Sequence, residues 1–140
     1  MDRNQEIADV LAGLSLFSDL ATPQVRAVVE LMDEASFQAG DRVLRQGLTG
    51  SGFYLILDGE ASVVVDGEVR ATLSRGDFFG EVSILLGEPP TADIVAASEM
   101  RCLVISAGEL DGLLMSYPRV MYRMMQAQAR RLRRANQWRS

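Results

Sequence analysis

Glycines divide the middle of this chain into short segments. Nine of the 12 glycines lie between residues 40 and 87. The segments that these glycines separate, and two segments that follow, are rich in β-branched, aromatic and other apolar residues: Phe53–Leu57, Ala61–Val65, Val69–Leu73, Asp93–Ala97 and Arg101–Ile105. Several short strands at close, turn-marked spacing predict an antiparallel sandwich or small barrel rather than a parallel sheet.

Two Asp-Gly pairs predict tight turns between these strands. Asp58-Gly59 precedes Ala61–Val65, and Asp66-Gly67 follows it. Type I′ hairpin turns need positive φ at both central residues, and Asp followed by Gly meets that need. The sequence therefore predicts two successive hairpins.

Helical patterns lie on both sides of the β-rich region, in residues 1–33 and 107–140. Thr22-Pro23 has the pattern of a helix start, with Thr22 as the N-cap. Tyr117-Pro118 predicts a break, and a long helix is expected from Arg119 onward. Its apolar stripe consists of Met121, Met124, Met125, Gln128 and Leu132. We therefore expect one domain of 140 residues: helices over 1–33, β structure over 34–106, and two helices over 107–140.

Missing residue types exclude several classes of chemistry. The chain has no His, all 14 of its basic residues are Arg, and it has one Cys. Catalytic triads and Schiff-base enzymes need His or Lys, and a structural zinc site needs several Cys or His ligands. A phosphate-binding loop of the G-x-x-x-x-G-K type needs Lys. Acid–base chemistry by Asp or Glu, and Asp or Glu oxygens around a hard cation, are the classes that this count leaves open. We expect no enzymatic activity, no cofactor and no metal, and a buried, inert Cys102.

Charge separates along the chain. Residues 1–111 hold all 19 acidic residues and seven Arg, a net charge of −12, whereas residues 112–140 hold seven Arg and no acid, a net charge of +7. The Arg-rich end indicates a solvated helix face or, as the alternative, a surface for nucleic acid or an acidic partner. No helix-turn-helix follows, so we expect no direct DNA reader in this chain.

The N-terminus gives no sign of export. Residues 2–6 are polar, and no apolar run approaches the ~18 residues of a membrane span. We therefore expect no signal peptide, no membrane span and a cytoplasmic location.

Residues 78–93 interrupt the β pattern with a segment that can carry function. Gly80 and Gly87 enclose Glu81–Leu86, and Pro89-Pro90 precedes the next strand. A short helix that begins after Gly80 exposes the backbone N–H groups of Glu81, Val82 and Ser83, and helix starts attract anions. The alternative is a loop helix that only covers the open end of the β structure.

These residues resemble the phosphate-binding cassette of the cyclic nucleotide-binding domain family, which includes the regulatory modules of cyclic nucleotide-dependent kinases, cyclic nucleotide-gated channels and the catabolite activator protein. The resemblance covers nearly the whole chain. It is carried by Phe79-Gly80-Glu81-Val82-Ser83-Ile84-Leu85, by Pro89 to Ala92 and by the glycine-spaced strands. It implies a mainly β, α+β fold: a jelly-roll-like barrel or sandwich flanked by N-terminal helices and two C-terminal helices.

The resemblance also implies a ligand and roles for individual residues. The ligand would be cAMP or cGMP, with residues 79–92 as the cassette and Phe79, Gly80, Val82 and Ser83 in its first half. The family's short helix and backbone amides hold the cyclic phosphate, and Glu81 takes the place of the Glu that binds the ribose 2′-hydroxyl. Thr91 and Ala92 match the small residue and the Ala at the cassette's end.

Pro90 departs from the family pattern, because it stands where the family has an Arg that pairs with the phosphate. Proline offers no charge and no N–H group. Hydrogen bonds to charged groups contribute about 1.5–3 kcal/mol each, so binding is expected to be ten- to several-hundred-fold weaker. Arg75 and Arg101 are candidates to replace the missing guanidinium, and Asp93 would repel a phosphate if it faced the pocket.

Two functions remain open at this stage. The first is a regulatory domain that binds a cyclic nucleotide, weakly because of Pro90, and relays binding through its C-terminal helices. The second is a degenerate, ligand-free module for structure or interaction. Met-rich stripes form adaptable packing surfaces, and the helix of residues 119–138 would then form a homodimer.

Overall fold

Two four-stranded antiparallel sheets form the middle of the chain. The computed structural model describes residues 2–48 and 52–137. One sheet has the strand order β1-β8-β3-β6 and the other has the order β2-β7-β4-β5. The strands are β1 (Asp33–Phe37), β2 (Arg42–Leu44), β3 (Gly52–Asp58), β4 (Ala61–Val65), β5 (Glu68–Leu73), β6 (Phe78–Phe79), β7 (Asp93–Ala96) and β8 (Met100–Ser106). The jelly-roll-like fold predicted from the sequence is confirmed.

Five helices and one 3-10 turn complete the described chain. They are α1 (Arg3–Ala12), the 3-10 turn Ser15–Phe17, α2 (Thr22–Val29), α3 (Glu81–Leu86), α4 (Ala107–Ser116) and α5 (Pro118–Gln137). Residues 31–111 form one compact unit, the β unit, and the residues up to Glu30 and from Gly112 onward form a second, the helical unit. Trp138, the last residue of the predicted dimer helix, lies outside the described residues. Within the described ranges, no helix is long and apolar enough to cross a membrane.

Apolar side chains from both sheets form the core of the β unit. They are Leu44, Ile56, Ala61, Leu73, Phe79, Ile94, Ala96, Met100 and Cys102. Burial of a Leu, Ile or Phe side chain contributes ~1.5–3 kcal/mol, which is the main reason these short strands hold together. Cys102 is fully buried, as predicted, and burial raises its thiol pKa to about 12. It is therefore a packing residue and not a nucleophile.

Only one of the two predicted hairpins exists. β4 and β5 pair across Asp66-Gly67, where φ is 51° at Asp66 and 82° at Gly67. The prediction for Asp58-Gly59 is wrong, because β3 pairs with β6 and β8 whereas β4 pairs with β5 and β7. The Asp58-Gly59 turn instead carries the chain from one sheet to the other. A Cβ at Gly59 would lie 2.2 Å from the Glu99 carbonyl oxygen, so close approach of two backbones requires glycine there.

Side-chain caps define the helix starts near the N-terminus. Asp2 caps α1, because its carboxylate accepts from the Gln5 N–H at 2.7 Å. The N-cap of α2 is Ala21 and not Thr22, which is already the first helical residue. The Gln24 side chain accepts from the Ala21 N–H at 2.9 Å, so Gln24, and not Thr22, supplies the side-chain hydrogen bond at this helix start.

Asp19 connects the N-terminal segment to α5 within the helical unit. Its carboxylate accepts from the Arg123 Nε at 2.8 Å and lies 3.0 Å from the Arg119 Nη2. The Arg119 guanidinium also lies 4.7 Å from the centre of the Tyr122 ring. The hydrogen bond from Arg123, followed by the contact with Arg119, lowers the Asp19 pKa from 3.8 to about 2, and the same bond raises the pKa of Arg123.

The Asp19 cluster predicts a specific pH dependence of stability. A carboxylate whose pKa is lower in the folded state stabilises the fold above its unfolded pKa and loses that effect as pH falls through its folded pKa. Asp19→Asn should therefore lower the free energy of unfolding at neutral pH, and its difference from wild type should shrink between about pH 4 and 2. Urea denaturation followed by circular dichroism across this range measures the difference.

The matched control for that series is Asp9→Asn, whose carboxylate accepts from Gln5 on the same exposed face of α1. It should change the free energy of unfolding little at any of these pH values. An Asp19→Asn difference that stays constant from pH 5 to pH 2 would show that the ion cluster does not stabilise the fold.

Candidate functional site

Residues 79–92, the cassette segment, cross the gap between strands β6 and β7. The chain leaves β6 at Phe79, turns at Gly80 with φ of 95°, and begins α3 at Glu81. Helix α3 ends at Gly87, where φ is 66°. The residues of the predicted cassette therefore form one continuous helix and loop, and all of them belong to the β unit.

Gly80 fixes the start of the cassette segment against strand β3. A Cβ at this position would lie 2.2 Å from the Gly52 carbonyl oxygen, far closer than non-bonded atoms can approach. The preceding ring of Phe79 stacks on Tyr54 of β3, with ring centres 4.9 Å apart and an angle of 5° between the planes. Because Phe79 is also part of the β-unit core, the position of α3 is set by packing.

Glu81 is the only charged residue that is buried among residues 2–48 and 52–136. It is 2% exposed and is the first residue of α3. A buried carboxylate is stable only where polar groups bind it, and this burial makes Glu81 the candidate residue of the segment. The carboxylate is a hydrogen-bond acceptor held in a fixed place by the Gly80 turn.

Backbone N–H groups accompany this carboxylate. The first N–H group that binds within α3 is that of Ile84, which donates to the Gly80 carbonyl at 3.5 Å. The amides of Glu81, Val82 and Ser83 come before it, and the first amides of a helix have no acceptor within the helix. The segment thus combines amide donors with one carboxylate acceptor.

The Ser83 hydroxyl has a structural role. It donates to the Glu88 carbonyl, while the Glu88 N–H donates to the Ser83 carbonyl at 3.2 Å. These two bonds close the end of α3 around Gly87. The Ser83 hydroxyl proton is therefore already engaged within the segment. Val82 next to it is exposed.

The end of the cassette segment is attached to the loop after β2. Pro90 is buried, and its carbonyl accepts from the Gly47 N–H at 2.9 Å. The Asp93 carboxylate accepts from the Gln46 N–H at 2.6 Å. Between them, Thr91 is exposed and Ala92 is half-buried. Sequence reasoning missed Gln46, because nothing in its local pattern indicates a contact 47 residues away.

Of the two arginines considered as replacements for the missing guanidinium, Arg101 is engaged elsewhere. Its Nη2 lies 2.5 Å from the Glu34 carboxylate, across the β1–β8 pair. Arg75 is exposed. It lies in a turn that is closed by a hydrogen bond from the Ser74 N–H to the Asp77 carboxylate. No group of three or more potential metal ligands occurs in the described part of the chain.

Comparison with known sequences places these residues in a recognised family. The sequence profile of the cyclic nucleotide-binding domain matches residues 34–117. The cGMP-dependent protein kinase egl-4 of Caenorhabditis briggsae is 34% identical over 102 residues, which is 69% of this chain and 14% of that kinase. The cAMP-dependent protein kinase regulatory subunit of Schizosaccharomyces pombe is 33% identical over 106 residues, 75% of this chain and 26% of the subunit. The chain thus spans a small part of each relative.

The same fold occurs in a solved structure. A cyclic nucleotide-binding domain from Methylobacillus flagellatus superposes with a TM-score of 0.81 and 27% sequence identity. The superposition covers 96% of this chain and 80% of that domain.

Gly80 generates a prediction on stability. Gly80→Ala should lower the free energy of unfolding by at least ~2 kcal/mol, because left-handed backbone costs a non-glycine residue ~1–2 kcal/mol and the clash with the Gly52 carbonyl adds ~1–3 kcal/mol. Gly87→Ala is the matched control: it has positive φ, but a Cβ added there would meet nothing within 4 Å. Gly87→Ala should therefore lower the free energy of unfolding only by the ~1–2 kcal/mol that left-handed backbone costs. Equal losses in urea denaturation would mean that the close approach to β3 does not matter.

Proposed function

Since this chain belongs to the cyclic nucleotide-binding domain family, we propose that it is a regulatory module whose cassette segment binds cAMP or cGMP without catalysis. The observation that carries the proposal is the Gly80 turn, which holds a buried Glu81 beside three backbone amides. The composition agrees with binding without catalysis, because the chain has neither His, the commonest general base, nor Lys.

Each part of the proposed ligand has a matching group in the cassette segment. The amides of Glu81, Val82 and Ser83 would donate to the cyclic phosphate, and the Glu81 carboxylate would accept from the ribose 2′-hydroxyl. A carboxylate accepts more strongly than a neutral group. Gly80 and Ala92 have little or no side chain and would let the ligand approach, while Phe79 anchors the segment and Thr91 offers an exposed hydroxyl.

Weak binding is part of the proposal. Pro90 offers neither a guanidinium nor an N–H group at the place where the family has its phosphate-binding Arg. The loss of such a charge-assisted pair corresponds to about 1.5–3 kcal/mol or more, so we expect dissociation constants at least ten times those of a domain that has the Arg.

We also propose that binding is relayed through the C-terminal helices. This would make residues 1–140 one functional domain, although they fold as two compact units. Helix α5 is suited to a relay, because Asp19 binds Arg119 and Arg123 and thereby ties α5 to the N-terminal segment. The single tryptophan, Trp138, follows α5 in the sequence, and its fluorescence during a nucleotide titration is the readout.

Calorimetric titration with cAMP and with cGMP tests binding. We expect saturable heat for at least one nucleotide, and Glu81→Gln should weaken that binding about tenfold, because an amide oxygen is a poorer acceptor than a carboxylate. Glu88→Gln is the control. The Glu88 side chain is exposed after the end of α3, and the hydrogen bonds of Glu88 to Ser83 are made by its backbone. No heat at millimolar nucleotide with folded protein would refute the proposal.

Restoring the missing Arg gives a second prediction. Pro90→Arg should lower the dissociation constant at least tenfold, because a guanidinium at this position can pair with the phosphate. Pro90 is buried, so the same change should lower the thermal stability of the ligand-free protein.

The control for Pro90→Arg is Pro89→Arg, which adds the same charge one residue earlier at an exposed position. If both variants tighten binding equally, the gain comes from general attraction and not from the cassette position.

The exposed face of α5 favours a second candidate function, a homodimerisation module. Met124 is 3% exposed, so it is not available to a partner. Met121, Met125 and Leu132 are 40%, 60% and 63% exposed and follow a spacing of four and seven residues along the helix. Sedimentation velocity of wild type and of Met125→Glu separates the cases: a dimer that the substitution dissociates supports this function, and a monomer at high concentration excludes it.

A further inference from the structure

Gln46 connects three loops of the β unit: the loop after β2, the β4–β5 turn and the end of the cassette segment. We propose that Gln46 and Asp93 are positioning residues, which hold residues 90–92 in their binding arrangement before a ligand arrives. This inference rests on the proposed function, since it concerns the same site. Neither residue is assigned a role in ligand contact by the sequence pattern.

Two hydrogen bonds hold residues 90–93 from both ends. The Gln46 N–H donates to the Asp93 Oδ1 at 2.6 Å, and the adjacent Gly47 N–H donates to the Pro90 carbonyl at 2.9 Å. The first bond is charge-assisted and therefore stronger than a neutral bond. Thr91 and Ala92 lie between the two anchors, so their backbone has little freedom.

A second pair of bonds fixes Gln46 itself. Its side-chain Nε2 donates to the Asp66 Oδ1 at 3.0 Å, and the Asp66 N–H donates to the Gln46 Oε1 at 3.2 Å. Asp66 lies in the left-handed turn between β4 and β5. The Gln46 side chain thus bridges two loops, while its backbone amide binds a third.

Pro90 explains why the protein needs these bonds. An Arg at this position could order the segment by pairing with the ligand, but Pro90 has no group that can do so. In this chain the order must come from the protein. Apparent affinity falls in proportion to the fraction of molecules whose site is in the binding arrangement, so a segment that is held in advance binds more tightly.

Four variants separate positioning from general stability. Asp93→Ala removes the bond to the Gln46 amide, and Asp93→Asn keeps an acceptor oxygen at the same place. Gln46→Ala removes only the link to Asp66. Asp41→Ala is the matched control, because Asp41 also accepts from a backbone amide, that of Gln38 at 2.8 Å, in a turn outside the cassette segment.

Two measurements on each variant test the proposal. Amide hydrogen exchange of the ligand-free protein should be about tenfold faster at Gln46 and Gly47 in Asp93→Ala, the change that ~1.4 kcal/mol corresponds to. The dissociation constant for cAMP or cGMP should rise about five- to tenfold in Asp93→Ala and about threefold in Gln46→Ala. In Asp93→Asn the exchange rates and the dissociation constant should stay close to those of wild type, and Asp41→Ala should change neither quantity.

The outcomes distinguish this inference from the proposed function. If wild type binds neither nucleotide, the proposed function fails, and exchange at Gln46 and Gly47 still decides whether Asp93 orders the segment. Unchanged exchange in Asp93→Ala overturns the inference in either case. Faster exchange with an unchanged dissociation constant, or equal weakening by Asp41→Ala, also overturns it, because the bonds would then be structural only.

Discussion

The left-handed turn at Gly80, pressed against the Gly52 carbonyl, is the constraint on which the candidate site depends. Only 2.2 Å would separate that oxygen from a Cβ, so the turn admits no side chain. On one side of it Phe79 enters the core between the sheets, and on the other Glu81 is buried at the start of α3. The core of the β unit therefore places the amides and the carboxylate, and a six-residue helix that would be unstable alone becomes a fixed feature.

The two ends of the cassette segment are held by different interactions. Packing fixes the first end, through the Tyr54–Phe79 stack and the Gly80 turn. Hydrogen bonds from the Gln46 and Gly47 N–H groups fix the second end, at Asp93 and Pro90. The groups that the proposed site would use are backbone amides and one carboxylate. This agrees with a chain that has no Lys or His and carries its excess of Arg at the far C-terminus.

Local patterns predicted the elements better than their connections. The strand Ala61–Val65 and the turn at Asp66-Gly67 were predictable, because a run of β-branched residues and a positive-φ pair act over a few residues. Asp58-Gly59 has the same local chemistry, yet it joins different sheets, because core packing decides which strands pair. The family motif predicted that Glu81 lies at the start of a short helix. Its burial, and the bonds of Gln46 to Asp66 and Asp93, depend on contacts distant in sequence and could not be predicted.

Amide chemical shifts of nitrogen-15-labelled protein, followed while cAMP or cGMP is added, test most directly whether the Gly80 turn builds a ligand site. Binding at the cassette segment predicts saturating shifts that are largest at Gly80, Glu81, Val82 and Ser83, with a second group at Thr91 and Ala92. Well-dispersed spectra that do not change at millimolar nucleotide would contradict this, as would shifts confined to α5 or to the β4–β5 turn.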